Sequence, residues 1–373
     1  MIFAIEVNGK KFTRWESATA EMSIDKNAGI FSFTSSSLSP RFYPVRAGDA
    51  VKIFIGKTAI ITGYVDEVSE SGTRESHYVT VSGRDSTADL IDSSVPPDAK
   101  AIEGDLTLID LCQLVSDGTG ARIKISDVTG LENSLGDQLV AGTDGETCIN
   151  YLMSYARKLQ VYLIADGRGG LQIFRPGGEK ATTALIHKKS GRNNVMSYTF
   201  KNSYQMRFNE YVTSSQDDFG SDENAEYSEE GTARAGRVID DEIRQGRYHE
   251  IKAEESTDDE GCSNRAQEEA NLRRARSREY VATVAGIAQA DGTAWKIGNI
   301  IKVNDDFAGL SGDFLIRSLK HSVDLSSGSR TRITVAPLDA YTARGVETPQ
   351  NKRKSKFDNN FVNNTSPKIS VSR

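Results

Sequence analysis

The chain has 373 residues, enough for two or three domains that each bury a core. Its 46 basic and 52 acidic residues leave a net charge of −6, which argues against a nucleic-acid binder working through a broad basic surface. No apolar run reaches membrane-spanning length, so stable membrane insertion is not expected. Cys112, Cys148 and Cys262 are isolated and odd in number, which points to a reducing compartment without a disulfide frame.

Met1–Val7 reads as a first strand rather than a signal peptide, because it lacks a basic leader region and a cleavage site. Glu6–Phe12 reads as a hairpin around Asn8-Gly9. Strands then follow at Ile30–Thr34, Ala50–Ile55, Thr58–Val68 and His77–Ser82, with a bulge expected at Gly63-Tyr64. Short strands at this spacing predict a small barrel or sandwich.

The stretch Ser82–Asp92 carries the densest signal. It leaves the strand through Gly83 and enters a helix that Ser86 is expected to cap, with Asp89 in the capping-box position; Pro96-Pro97 stops it. The spacing of Asp85, Asp89 and Asp92 sets three carboxylates on one helix face, the pattern of a cation site or an acid/base pair. Acids at a helix start also stabilise its dipole, with Arg84 as ion partner, and no histidine or second acidic cluster points to the same place. The joint therefore reads as architecture.

Thr107–Ser116 has the apolar spacing of an amphipathic helix, ended by Gly118-Thr119-Gly120, with a strand expected at Ala121–Ile125. A second helix opens at Thr143–Glu146, and Val161–Ala165 and Leu171–Phe174 form a hairpin. The glycine-rich turn Gly167–Gly170 lies between two strands, so it lacks the helix N-terminus that a phosphate loop needs. Tyr198–Ser214 reads as strand, and Gln216–Gly231, with seven acidic and no basic residues, as a solvated loop. Ser256–Arg278 reads as a long helix with Ala266, Ala270, Leu272 and Ala275 on one face. Its arginine-rich end reads as a solvated face paired to Glu268, Glu269 and Glu279. Strands return at Tyr280–Ala285, Ile300–Val303, Phe314–Val323 and Thr331–Ala336, echoing residues 1–90. The tail beyond Ala343 carries +5, leaving the remainder at −11, and reads as a flexible basic arm.

The chemical inventory is sparse. His77, His187, His249 and His321 show no metal-ligand spacing and are expected at solvent-facing positions. Cys112 and Cys148 lie on apolar helix faces and read as small core residues. No nucleophile elbow, Walker or dinucleotide fingerprint occurs. Neither catalytic, cofactor-binding nor metal-ligating residues are assigned, and no cofactor is expected.

Val79–Asp92, Gly63–Asp66, Arg207–Tyr211, the arginine-rich helix followed by a strand, Asp291–Trp295 and Arg332–Pro337 form a co-linear set over about residues 1–343. This set resembles the baseplate hub family of phage Mu type, the late control protein D group of contractile tails. The resemblance implies an α+β fold with two similar β-barrel domains and α/β insertions. It also implies a homotrimeric ring of pseudo-sixfold symmetry in the virion baseplate, assembled in the host cytoplasm. Such a hub is a structural adaptor between a hexameric tail tube, or a tube-initiating protein, and a trimeric membrane-piercing spike, in contact with other baseplate proteins. Direct nucleic-acid recognition is not expected.

The expected domains are a first barrel at 1–95, an α+β domain at 96–195, and a second barrel from 196–215 and 279–343. The acidic loop and long helix at 216–278 form an insertion, and 344–373 is the tail. Two alternatives stay open: a spike component of a related contractile secretion system, and a tail-associated peptidoglycan hydrolase using a carboxylate dyad.

Overall fold

The computed structural model describes residues 3–36, 44–102, 104–130, 134–137, 140–142, 144–215, 234–252 and 259–341. The acidic run, Thr143, the Ser256–Asp258 helix start and the basic arm lie outside the described residues. The chain divides into two units. One comprises Met1–Tyr198, Val281–Phe307 and Gly312–Val335; the other comprises Thr199–Tyr280, Ala308–Ser311 and Ala336–Arg373.

The first unit begins with β1 (Phe3–Val7) and β2 (Lys10–Phe12), joined by the expected Asn8-Gly9 turn. Next come β3 (Ser17–Ser23), β4 (Ile30–Ser36), β5 (Ala50–Ile55), β6 (Thr58–Gly72) and β7 (His77–Asp85). Burial alternates along β3 from Ser17 to Glu21, along β4, and along β7 from Tyr78: Ala18, Ala20, Phe31, Phe33, Val79 and Val81 are buried. Their neighbours Ser17, Thr19, Ser32, Thr34, Thr80 and Ser82 show on the other face, as a period of two requires. Fully burying a side chain such as Phe33 or Ile53 contributes roughly 2–3 kcal/mol. The register shifts fall between Ile53 and Phe54 of β5 and between Val65 and Glu67 of β6, so the bulges flank the Gly63-Tyr64 step expected to hold one.

After the short helix α1 (Ala88–Asp92), the chain builds β8 (Ala101–Ile102), β9 (Asp105–Thr107), α2 (Leu108–Thr119), β10 (Ile125–Asp127), β11 (Ser134–Asp137) and β12 (Val140–Ala141). It continues through α3 (Cys148–Lys158), β13 (Tyr162–Ala165) and β14 (Leu171–Phe174). Thr107 and Asp110 close a reciprocal capping box at the start of α2. Leu108, Leu111, Cys112 and Val115 of α2 meet Leu152, Tyr155, Leu163 and Ile173 in one core. The strand expected at Ala121–Ile125 starts only at Ile125, because the Ser116 hydroxyl accepts the Ile123 amide at 2.7 Å and holds that segment out of a ladder.

Beyond β15 (Leu185–His187) and β16 (Val195–Asn202), the chain forms β17 (Glu210–Ser215), β18 (Arg234–Ile239), β19 (Tyr248–Lys252) and α4 (Asp259–Ser277). It ends with β20 (Arg278–Ala285), β21 (Ile300–Asp305), β22 (Leu310–Asp324) and β23 (Gly328–Ala336). The strand expected across Tyr198–Ser214 is broken at 203–209, and its second half leaves the main sheet: β17 lies between β18 and β19 in a separate three-stranded sheet. That sheet packs Tyr211 and Ile251 against Ala266 and Ala270 of α4. A Cβ on Gly236 would stand 2.1 Å from the Ser263 amide nitrogen of α4, so only glycine permits this helix–strand approach.

The main sheet has the order β16-β20-β23-β22-β3-β4-β7-β6-β5-β1-β2, with β21 on β22 and β15 on β21. Its antiparallel ladders from both ends of the chain meet where β22 pairs with β3. The architecture is thus mostly β, with the helical segments inserted between strands.

Candidate assembly site

The Ser82–Asp92 joint is built differently from the sequence expectation. Gly83 lies inside β7, where an added Cβ would meet the Tyr64 carbonyl oxygen at 2.1 Å and the Phe31 ring at 2.5 Å; it serves close packing, not a sharp exit. The N-cap of α1 is Thr87, with no side-chain cap bond, so the Ser86–Asp89 capping box does not form. The Ser86 hydroxyl instead donates to the Thr62 carbonyl at 3.0 Å. Asp85, Asp89 and Asp92 do not act together. Asp85 is buried at the end of β7 and accepts from the amides of Thr62 (3.4 Å) and Thr87 (3.3 Å). Burial pushes its carboxyl up to about 7, against those bonds. Asp92 turns outward and shares the Arg84 guanidinium with Asp66, at 2.6 and 2.7 Å.

The histidines stay apart. His77 lies 3.7 Å from Glu70, His187 lies 3.1 Å from Asp305, and His249 stacks on Phe208 with ring centroids 4.7 Å apart. His321 overturns the solvent-facing expectation: it is fully buried, on the core face of β22. Cys112 and Cys148 are buried, as their helix faces implied, and burial pushes both thiols up. In the Gly167–Gly170 turn, Asp166 accepts the Arg168 and Gly170 amides at 2.6 and 2.8 Å, so this is a hairpin turn. Among the described residues, no group of three or more His, Cys, Asp or Glu is placed to hold a metal ion.

The second unit explains the Arg207–Tyr211 motif residue by residue. Arg207 is fully buried and donates to Asp240 at 2.6 Å and Glu242 at 2.7 Å, while Arg278 reaches the same Glu242 at 2.5 Å. Although burial opposes it, these bonds hold the Glu242 carboxyl below its usual range. The guanidinium groups of Arg247 and Arg273 each lie 5.1 Å from the Phe208 ring centroid. Asn209 donates to the carbonyls of Asp240 and Ile243, Glu210 pairs with Arg237, and the Tyr211 hydroxyl accepts the Phe208 amide. Arg247 and Arg273 also donate to the carbonyls of Gln205, Met206 and Arg207. Asp240 and Glu242 carried no signal in the sequence. The expected helix-end pairing holds for Arg273 with Glu269, at 2.6 Å, whereas Arg278 crosses to Glu242.

An internal repeat organises the main sheet. Strands β5, β6 and β7 have 6, 15 and 9 residues, and β21, β22 and β23 have 6, 15 and 9. The turn leading into each set carries the same bonds. Gly48 donates to Val65 and Val65 to Asp49, at 2.8 and 2.9 Å; Gly298 donates to Ile316 and Ile316 to Asn299, also at 2.8 and 2.9 Å. Strand order repeats too: β3-β4-β7-β6 in one half matches β16-β20-β23-β22 in the other.

The halves join in one seam. Ser318–Asp324 of β22 pairs antiparallel with Ser17–Ser23 of β3. Ile24 donates to the Arg317 carbonyl at 3.0 Å and Leu325 to the Glu16 carbonyl at 2.9 Å. The Arg317 side chain bonds Asp25 at 2.5 Å, both well shielded, and Lys320 lies 3.9 Å from Glu21. At the centre, His321 faces Ala20. This arrangement joins sheets through backbone ladders and complementary charge; it brings no nucleophile and base together.

The fold defines a class of protein, a mostly β chain whose two repeated strand sets join in one sheet. Residues 3–85 match the family described as Mu phage baseplate assembly protein GpP-like, N-terminal, and residues 259–344 match the Mu phage baseplate assembly protein GpP, fourth domain. The chain is 25% identical to baseplate hub protein gp44 of Escherichia phage Mu over 371 residues, covering 96% of this chain and 93% of that protein. Among solved structures it is similar to the 43 kDa tail protein of prophage MuSo2 from Shewanella oneidensis, with a TM-score of 0.77, 28% identity, and coverage of 91% of this chain and 98% of that one. It shares the fold of the tail protein from Neisseria meningitidis MC58, with a TM-score of 0.73 at 17% identity over 90% and 95% of the two chains. The chain carries Mu-type baseplate assembly domains at 3–85 and 259–344 and resembles a baseplate hub protein over nearly its whole length; it is a structural component of the virion's tail baseplate.

Proposed function

We propose that the chain is a non-enzymatic hub that assembles as a homotrimer. In that form it adapts a hexameric tail tube to a trimeric membrane-piercing spike, in contact with other baseplate proteins. The observation that carries this reading is the internal repeat: two similar sheet units per chain supply six around a three-chain ring. A six-unit face suits a sixfold tube, while the chain count suits a threefold spike. The barrel closure that the family resemblance implies is part of the same proposal. Light scattering of the purified chain tests it, and a threefold mass together with capture of tube and spike proteins is the expected result. A species that stays single and binds neither refutes it. Muralytic activity lost on replacing one Asp or Glu would favour the hydrolase reading instead.

A further inference from the structure

We infer that the unpaired edge of β6, residues 66–72, receives strand β16 of a second copy, repeating between molecules the seam that β3 and β22 form within one. The inference rests on the trimeric reading and names the surface through which the copies join.

The repeat supplies the correspondence. Val65 and Ile316 hold equivalent places, each bonded both ways to its lead-in turn. Beyond Ile316, β22 has β23 on one side and β3 on the other. Beyond Val65, β6 pairs with β7 through Glu67–Gly72, while its pairing with β5 ends at Tyr64. Among the described residues nothing covers the second side of 66–72. At the far end of the sheet, β16 stands where β3 stands in the other half, and among the described strands of that sheet its neighbour is β20. Each chain thus has one strand shaped like β3 and one edge shaped like that of β22, both at open ends.

Hydrogen-bond parity agrees. In the seam the Arg317 carbonyl and the Leu325 amide both face β3, so the odd-numbered residues of β22 carry the bonds there. In β6, Thr73 donates to Ser76 on the β7 side at 2.7 Å, which, beyond the bulge between Val65 and Glu67, turns the peptide groups of Val68, Glu70 and Gly72 toward the open side. These even positions are the counterparts of Leu319, His321 and Val323. Charge agrees as well. The β6 edge carries Asp66, Glu67 and Glu70, and the one charged residue of β16 is Lys201. Met196 of β16, 56% exposed, would leave water on pairing. A long row of unpaired peptide groups is a standing template for another chain unless it is covered. A head-to-tail contact of this kind closes into a ring when its rotation divides the circle.

Glu70→Pro removes one outward amide and leaves the β7 ladder intact, since proline is accepted on an open edge. The expected result is a chain with wild-type circular dichroism whose mass falls from three copies to one. Independently, Glu70→Cys combined in turn with Ser197→Cys, Thr199→Cys and Lys201→Cys should yield an intermolecular disulfide for at least one pair, under mild oxidation of the otherwise unaltered trimer. If Glu70→Pro keeps the wild-type mass and no cysteine pair crosslinks, the edge assignment fails while the trimer stands. A wild-type chain that stays single at every concentration overturns both.

Discussion

Acidification should loosen the seam through one residue, His321. The hydroxyl of Thr331 donates to the Gly286 carbonyl at 2.8 Å, so it must accept from His321 Nδ1–H, 3.0 Å away. That assigns the neutral Nδ1–H tautomer and leaves Nε2 buried without a hydrogen-bond partner. Burial pushes the imidazole down to about 4. A group whose folded value lies below its unfolded value of about 6.5 stabilises the fold fully above pH 6.5, and that contribution is lost as pH falls toward 4. Between pH 7.5 and 5 the loss works out at about 2 kcal/mol, reaching about 3 kcal/mol at pH 4. His321→Asn retains an amide donor for Thr331 and does not titrate. Urea unfolding of both proteins at each pH isolates the effect, because every other titrating group cancels in the comparison. Wild type should lose about 2 kcal/mol more than the variant between pH 7.5 and 5. Parallel pH profiles would refute the buried neutral histidine.

Asp85 should act in the opposite sense. Its carboxyl is raised by burial to about 7, so wild-type stability falls as pH climbs from about 4 to 7; the advantage of Asp85→Asn should be about 2–3 kcal/mol greater at pH 8 than at pH 5 by thermal unfolding. Glu242→Gln removes the carboxylate that Arg207 and Arg278 share, and it should destabilise the second unit by roughly 1–3 kcal/mol in urea. Gly236→Ala drives a methyl group against the backbone of α4 and should cost roughly 1–3 kcal/mol, visible as a lower unfolding midpoint; an unchanged midpoint would mean that helix and strand are farther apart than described.

Local patterns were legible wherever one element determined them. The Asn8-Gly9 hairpin, the apolar faces of α2 and α3, and the small-residue face of α4 could all be read, because periodicity and turn chemistry act within a few residues. What escaped depends on partners far along the chain. Gly83 suggested a turn, yet its role is set by Phe31 and Tyr64. Ser86 looked like a cap, but the Thr62 carbonyl competes for its hydroxyl. His321 is buried on a face where its ring meets Thr331 of β23, a contact that spacing within β22 does not reveal. The Arg207–Tyr211 motif was visible as a string, but its ion partners Asp240 and Glu242 lie across an acidic stretch with no signal of its own.

The two halves of the repeat differ most where their neighbours differ. At the three positions beyond the bulge whose peptide groups point sideways, β22 carries Leu319, His321 and Val323, while β6 carries Val68, Glu70 and Gly72, with Glu67 beside them. An edge covered within its own chain tolerates leucine, valine and a neutral histidine, since it never meets water once folded. An edge that waits for a second chain must remain soluble meanwhile, and carboxylates keep it so. The same carboxylates fix the direction of joining. Two β6 edges bearing Glu67 and Glu70 repel, whereas Asp66 is held by Arg84, and this disfavours a twofold dimer through that strand. A strand such as β16, with Lys201 and no acid, meets no such penalty, so the charge pattern admits the head-to-tail contact and rejects the symmetric one.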